Sequence, residues 1–118
     1  MKYLWLIYID EKKLEALPKS ELDAVMEETS AYNDMLQQSG HFISTAGLKS
    51  VQTATTLRLR KGKLSVTDGP FAETKEVLGG FCIIEARDLN EAIQLASKWP
   101  SLRISSVEVR PIDELIQS

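Results

Sequence analysis

The sequence predicts an α+β domain of the ferredoxin-like, split βαβ type with an added hairpin strand, completed by a second copy into a dimeric α+β barrel. Three observations carry this reading. The segments run in the order β-α-ββ(β)-β-α-β. Tyr3 to Ile9 and Phe81 to Ala86 are apolar on both faces, as the two central strands of that topology must be. Two helices can cover only one face of such a sheet, and a single domain of 118 residues has nothing left for the other.

The elements follow in chain order. Tyr3, Trp5, Ile7 and Ile9 form one face of the first strand, and Leu4, Leu6 and Tyr8 the other. Asp10 to Lys19 reads as a polar connection containing Pro18. Ser20 is the expected N-cap of the first helix, with Glu21 and Asp23 in a first turn where the helix dipole favours negative charge. Leu22, Val25, Met26, Thr29, Tyr32, Met35 and Leu36 recur at helical spacing as one apolar stripe. Glu21, Glu27, Glu28 and Asn33 lie opposite, as a solvated face, and Gly40 is the natural stop. His41 to Gly47 reads as a strand. Thr53 to Arg60 alternates, with Thr55, Leu57 and Leu59 on one face and Thr56, Arg58 and Arg60 on the other. Lys61-Gly62 marks a turn, after which Leu64 and Val66 continue the alternation, so this is a hairpin with one face in water. Past the second apolar strand, Asp88-Leu89-Asn90-Glu91 has the form of a capping box. Leu89, Ala92, Ile93, Ala96 and Trp99 make the second helical stripe, ended by Pro100. Ile104 to Val109 is the last strand, and a polar tail follows Pro111.

Composition narrows the function classes. Hydrophobic residues are 43% and charged residues 26%, ordinary for a globular domain. The net charge is −3, which disfavours direct nucleic-acid binding. Cys82 is the only cysteine, so neither an intramolecular disulfide nor a thiolate metal cluster can form. Cys82 itself reads as a buried, inert core thiol. His41 is the only histidine, which removes a His-rich zinc site and any scheme needing two imidazoles. No run approaches the ~20 apolar residues of a membrane span. The seven-residue apolar opening lacks a cleavage site and meets Asp10 and Glu11 at once. The expectation is a cytoplasmic protein with no cofactor, no metal and no membrane contact.

Between the hairpin and the second central strand stands Thr67-Asp68-Gly69-Pro70-Phe71-Ala72-Glu73-Thr74-Lys75-Glu76-Val77-Leu78-Gly79-Gly80. It has two readings. As structure, Asp68 heads a turn, Gly69 supplies positive φ, Pro70 fixes the next φ and Phe71 anchors the loop in the core; otherwise Asp68 or Gly69 caps a helical turn beginning at Pro70. As function, Asp68 and Glu73 are candidate catalytic carboxylates, acting as acid and base if a partly dry cleft separates their pKa values. Lys75, Glu76, His41 and Arg58 are candidate binding residues, with His41 set near Asp68 in the sharper version. Arg58 otherwise reads as solvated or paired to the Glu73/Glu76 loop. Trp5, Tyr8, Tyr32 and Trp99 are expected in the core or an interface, or in part as the aromatic wall of a small pocket.

The segment Val66 to Glu76, with Asp68-Gly69-Pro70-Phe71 followed by Glu73, Lys75, Glu76 and the Gly79-Gly80 pair, resembles the signature of the YCII-related family in its DGPF branch. Supporting matches run almost end to end: Met1-Lys2-Tyr3 through Tyr8, Ala46-Gly47-Leu48, Ala54-Thr55-Thr56-Leu57-Arg58 and Val107-Glu108-Val109-Arg110-Pro111. The resemblance implies a ferredoxin-like dimeric barrel. Some relatives use a His–Asp pair whose histidine lies in the first helix. Here Ser20 to Ser39 holds no histidine and the corresponding stretch reads Thr29-Ser30-Ala31-Tyr32, so that chemistry does not carry over. The resemblance also implies an association with extracytoplasmic-function sigma factors. The expected function is binding or transforming a small polar organic molecule in a cleft beside the Asp68-Phe71 loop, between sheet and helices. The contrasting expectation is a non-catalytic partner protein. Either way the chain is expected as a homodimer burying well over ~1,000 Å².

Overall fold

The computed structural model describes residues 1–114. Strand β1 (Lys2–Ile9) leads into a short helix α1 (Glu11–Glu15) and the long helix α2 (Lys19–Gln38). Strands β2 (Phe42–Gly47), β3 (Thr55–Arg60), β4 (Lys63–Asp68) and β5 (Val77–Glu85) precede helix α3 (Leu89–Ser97) and strand β6 (Ser106–Pro111). Two 3₁₀ turns, Val51–Thr53 and Pro100–Ile104, join these elements. The main sheet is antiparallel in the order β2-β5-β1-β6, with the two strands that read apolar on both faces at its centre. That is the ferredoxin-like order. β3 and β4 add no strand to it; they form a separate two-stranded ribbon.

Helices α2 and α3 cover one face of the sheet. Tyr3, Trp5 and Ile7 of β1 and Cys82 and Ile84 of β5 are buried there with Leu36, Ala92, Ala96 and Trp99. Trp5 and Trp99 meet at 6.2 Å between ring centroids, tilted by 58°. The Tyr32 hydroxyl donates to the Leu95 carbonyl at 2.7 Å, joining the helices above this core. The other face presents Leu4, Leu6, Phe81 and Ile83, half-buried among their own neighbours and covered by no layer among the described residues.

Several element boundaries differ from expectation, each for a local reason. Asp10 ends β1 and caps α1, its carboxylate accepting from the Lys12 and Lys13 N–H groups, so the supposed polar connection holds a helical turn. Helix α2 is capped by Pro18, not Ser20: the Pro18 carbonyl takes the N–H groups of Glu21 and Leu22. At its other end His41 N–H reaches the Leu36 carbonyl and Gly40 N–H that of Gln37, a Schellman stop with Gly40 left-handed. Met26 and Met35 are exposed, because the buried seam Leu22, Val25, Thr29, Tyr32, Leu36 follows a narrow seven-residue repeat. Leu89 and Ile93 likewise face out, and Ala92, Leu95, Ala96 and Trp99 face in. Asp88 caps α3 through Glu91 N–H as expected, while Glu91 accepts one residue earlier, from Arg87 N–H. Ile104 belongs to the 3₁₀ turn, which delays β6 to Ser106.

The β3–β4 ribbon has one face in water, but it is the apolar one. Leu57 and Val66 are cross-strand partners, as are Leu59 and Leu64, and they are 60, 61, 72 and 63% exposed respectively. The polar face is turned to the ribbon's own chain. Thr56 donates to the Gly69 carbonyl at 2.8 Å and Arg58 to the Phe71 carbonyl at 2.9 Å.

One buried polar contact fixes α2 against the second 3₁₀ turn. The Thr29 and Ser101 hydroxyls lie 2.6 Å apart, both buried. Thr29→Val or Ser101→Ala alone leaves one buried hydroxyl unpaired and should cost about 1–3 kcal/mol. The double substitution should cost less than the sum of the two, a coupling that a denaturant-unfolding cycle measures directly.

Candidate functional site

The end of the sheet where β1 finishes and β5 and β6 begin gathers most of the polar side chains of interest. Asp10 stops β1 and starts α1. Glu11 of α1 accepts from Val51 N–H at 2.9 Å and so ties α1 to the 3₁₀ turn Val51–Thr53. The loop of residues 69–76 closes the same end. Its geometry follows from a few backbone contacts. Gly69 has φ +115°, a conformation closed to other residues without strain, and its N–H donates to the Ala54 carbonyl at 2.8 Å. Residues 70–76 then run as bends with no helical turn at Pro70. Phe71 is not a core anchor. It is 77% exposed, with the Arg58 guanidinium lying 5.1 Å over its ring and donating to its carbonyl.

Three open clefts with shared walls follow this end of the sheet. The first, about 270 Å³, is lined by Tyr8, Asp10, Lys13, Glu76, Arg103 and Ser106 among others. The second, about 630 Å³, shares Asp10 and adds Lys12, Gln52, Thr74 and Lys75. The third, about 480 Å³, shares Gln52 and Thr74 and adds Asp68, Gly69 and Glu73.

Within this trough some charges are already committed. Asp10 caps α1, and Arg103 pairs with Glu28, whose carboxyl it holds below the usual carboxylate range. Lys13 and Lys75 make no ion pair among the described residues. The Ser106 hydroxyl sits 3.5 Å from the Glu76 carboxylate, at the limit of a hydrogen bond. Burial, then the neighbouring Glu108 carboxylate, hold the Tyr8 phenol above its ordinary range.

The residues nominated from sequence are thus distributed along the trough rather than gathered at one point. Asp68 and Glu73 share the third cleft, Lys75 lines the second and Glu76 the first. All four are exposed, so the partly dry cleft required to separate two carboxylate pKa values is absent around them in the single chain. Arg58 serves the loop backbone and the Phe71 ring and pairs with neither Glu73 nor Glu76. His41 is not near Asp68. Its Nδ1 lies 2.8 Å from the Glu85 carbonyl at the far end of β5, roughly 30 Å along the strand from Glu76. Cys82 is buried in β5, and that burial pushes its thiol up to about 11, so it is protonated and unreactive near neutral pH.

Sequence reasoning missed Asp10, Lys13, Arg103 and Ser106, and named Tyr8 only as one of four aromatics of which some would line a pocket. The one available signal was Asp10 directly before Glu11-Lys12-Lys13, an N-cap with a helical first turn that would have placed charged side chains at the strand end. Nothing local foretells Arg103 and Ser106, which arrive there because β6 pairs with β1 through Tyr8 and Ser106. No group of three or more metal-ligating side chains occurs among the described residues, and no described helix is long and apolar enough to cross a membrane.

Residues 1–116 match the YCII-related domain. The chain is 40% identical over 114 residues to an uncharacterised protein of Rhizobium meliloti (strain 1021), covering 95% of this chain and 92% of that one. Among solved structures it is similar to 5-chloro-2-hydroxyhydroquinone dehydrochlorinase from Burkholderia phenoliruptrix AC1100, in complex with 2,5-dihydroxybenzoquinone. That similarity has 18% identity and a TM-score of 0.47, over 96% of this chain and 94% of the other.

Proposed function

Because this chain belongs to the YCII-related family, we propose that it acts on the scale of that single domain, binding a small polar organic molecule at the β1 end of its sheet. The observation that carries this is the convergence of Tyr8, Asp10, Lys13, Glu76 and Ser106 on one cleft of about 270 Å³. That volume lies near the lower end of ordinary small-molecule pockets, which begin at about 300 Å³. The wall chemistry is mixed. Lys13 offers a cation to a carboxylate or phenolate. Glu76 and Ser106 offer acceptors and a hydroxyl, and the Tyr8 ring and Leu14 give an apolar side. Asp68, Glu73 and Lys75 extend the trough and would meet a longer ligand. Asp68, Gly69 and Pro70 of the Asp68-Gly69-Pro70-Phe71 turn wall that extension, and the turn's sequence supports placement in the DGPF branch.

Native mass spectrometry of the purified protein, followed by a thermal-shift panel of hydroxylated and carboxylated small molecules, tests this reading. The expected result is a retained small mass or a panel member that raises the unfolding midpoint. Its affinity should fall about tenfold or more in Lys13→Met and Glu76→Gln, the loss of one charged contact of about 1.4 kcal/mol. A bare spectrum and an unmoved midpoint across the panel would overturn it. The role of a non-catalytic partner protein, with a sigma factor as the first candidate, would then stand in its place.

A further inference from the structure

Arg103 is only partly spent on its ion pair. Its Nη2 meets the Glu28 carboxylate, while Nε and Nη1 donate to no described residue. The same holds for the other charges around the cleft of about 270 Å³. Asp10 caps α1 through Oδ1 alone, and Glu76 faces the Ser106 hydroxyl through Oε1 alone. Lys13 makes no ion pair among the described residues. The cleft is therefore lined by two cations and two carboxylates, each with a donor or acceptor left for a ligand.

The two signs are separated along the cleft. On one side it shares Leu17, Arg103 and Ile104 with a hollow lined by α2 residues. On the other it shares Asp10 with the cleft of Thr74 and Lys75, and Glu76 follows Lys75 in the chain. Arg103 thus marks one end, and Asp10 with Glu76 the other. Tyr8 and Leu14 supply apolar wall.

The Arg103 end is held from two directions. Its turn, Pro100–Ile104, is pinned to α2 by the buried Thr29–Ser101 contact, and the Ser105 hydroxyl closes it on the Ser101 carbonyl at 2.7 Å. Glu28, which orients the guanidinium, is the residue before Thr29. One stretch of α2 therefore sets both the backbone and the side chain of Arg103. A guanidinium held in this way loses less conformational freedom on binding, and its planar fork suits a carboxylate.

We infer that the ligand of this cleft is a small zwitterion of the amino-acid type, its carboxylate bound at Arg103 and its ammonium at Glu76 and Asp10. The inference rests on the reading of the β1 end as a small-molecule site. Charge matching selects the zwitterion. A plain carboxylic acid gains Arg103 but meets two carboxylates at the other end, and a plain amine gains Glu76 but meets Arg103. Lys13 completes the balance of the cleft as a whole. Glu28 is a positioning residue in this arrangement: it acts through Arg103 and touches no ligand.

The test is an amide NMR titration of the full chain with glycine, β-alanine, γ-aminobutyrate and L-leucine. Each is set beside the acid lacking its amine and the amine lacking its carboxylate. A zwitterion of the series is expected to shift the Tyr8, Ser105 and Ser106 amides and to bind at least about tenfold tighter than either half. Arg103→Gln should weaken the zwitterion and the acid but not the amine. Glu76→Gln should weaken the zwitterion and the amine but not the acid, a crossed pattern that damage to the fold does not produce. Glu28→Gln keeps an acceptor for the guanidinium and should leave the affinity within about twofold. Glu28→Ala should weaken the zwitterion about threefold or more, although it removes a negative charge, because Arg103 is then unordered. Tighter binding by Glu28→Ala strikes the positioning role. Equal affinity for zwitterion and acid overturns the inference and leaves the small-molecule reading standing, as does a series without effect beside a hydroxylated acid that binds. No shift at these amides with any compound of the series or of the hydroxylated and carboxylated panel overturns both.

Discussion

Trp5→Ala should lower the unfolding free energy by about 3–5 kcal/mol, the range for truncating a large buried aromatic. Trp5 is fully buried at the middle of β1, between Cys82 of β5 and Val109 of β6, and beneath Trp99. Its removal opens a cavity between the two central strands and Trp99, and neither strand can shift to fill it without breaking sheet pairing. Because total stability of a small domain is about 5–15 kcal/mol, the variant should be close to unfolding at physiological temperature. Trp5→Phe is the informative control. The indole Nε1 is buried with no hydrogen-bond partner, so the phenyl ring loses volume but removes an unpaired donor as well. Its cost should be clearly smaller, about 1–2 kcal/mol, the two terms opposing each other. Urea unfolding of the three proteins at one pH measures the contrast; a Phe variant as unstable as the Ala variant would show that the unpaired N–H carries no penalty.

Gly80→Ala should be far more damaging than Gly79→Ala, although the two glycines are adjacent. A Cβ built on Gly80 falls 2.8 Å from the Ala46 carbonyl oxygen and 3.4 Å from the Gly47 Cα, both backbone. Backbone in a paired edge strand can yield only by moving β2 away from β5, which opens the pairing of Ala46 with Phe81 and Gly47 with Gly80. A Cβ on Gly79 meets the Ile9 side chain at 2.8 and 2.9 Å, and a flexible side chain can turn aside. The expected costs are about 2–3 kcal/mol for Gly80→Ala and under about 1.5 kcal/mol for Gly79→Ala, in line with overpacking that can and cannot be relieved. Thermal unfolding of both variants, with hydrogen exchange across β2, checks the order. Equal midpoints would mean that β2 is already free to move.

The pairing of Gly79 and Gly80 illustrates what was legible in the chain. Their presence before an apolar strand was plain, but the reasons for them differ and are tertiary. Gly79 stands in β5 at the bulge, where the register of β1 shifts between Ile7 and Tyr8; Gly80 stands at the crossing of β2. The strand order was readable because a strand covered on both sides loses its polar alternation, and only the two central strands did so. The seams of the helices were readable only in part. Met26, Met35, Leu89 and Ile93 fit an apolar period yet lie outside the buried seams, since periodicity gives the direction of a stripe but not its width.

For the candidate site, the sequence alone determined that carboxylates and a lysine crowd the segment before β5, and that no histidine pair, thiolate cluster or disulfide was available to them. It determined the turn at Gly69 too, since a left-handed backbone after Asp68 selects glycine. The tertiary structure decided which of those residues share a cleft. Glu76 joins Tyr8, Asp10 and Ser106 because β1 pairs with both β5 and β6, a contact between segments separated by most of the chain. His41 lies beyond reach of Asp68 because antiparallel pairing sends the start of β2 to the opposite end of β5. It also decided which face of the hairpin meets water. Alternation fixes that Leu57 and Arg58 point to opposite sides, but which side faces the chain depends on the carbonyls of Gly69 and Phe71 standing where Thr56 and Arg58 can reach them. Local sequence sets the period of a strand and the handedness of a turn because both are determined within a few residues; the direction an element faces depends on partners that only the folded chain brings near.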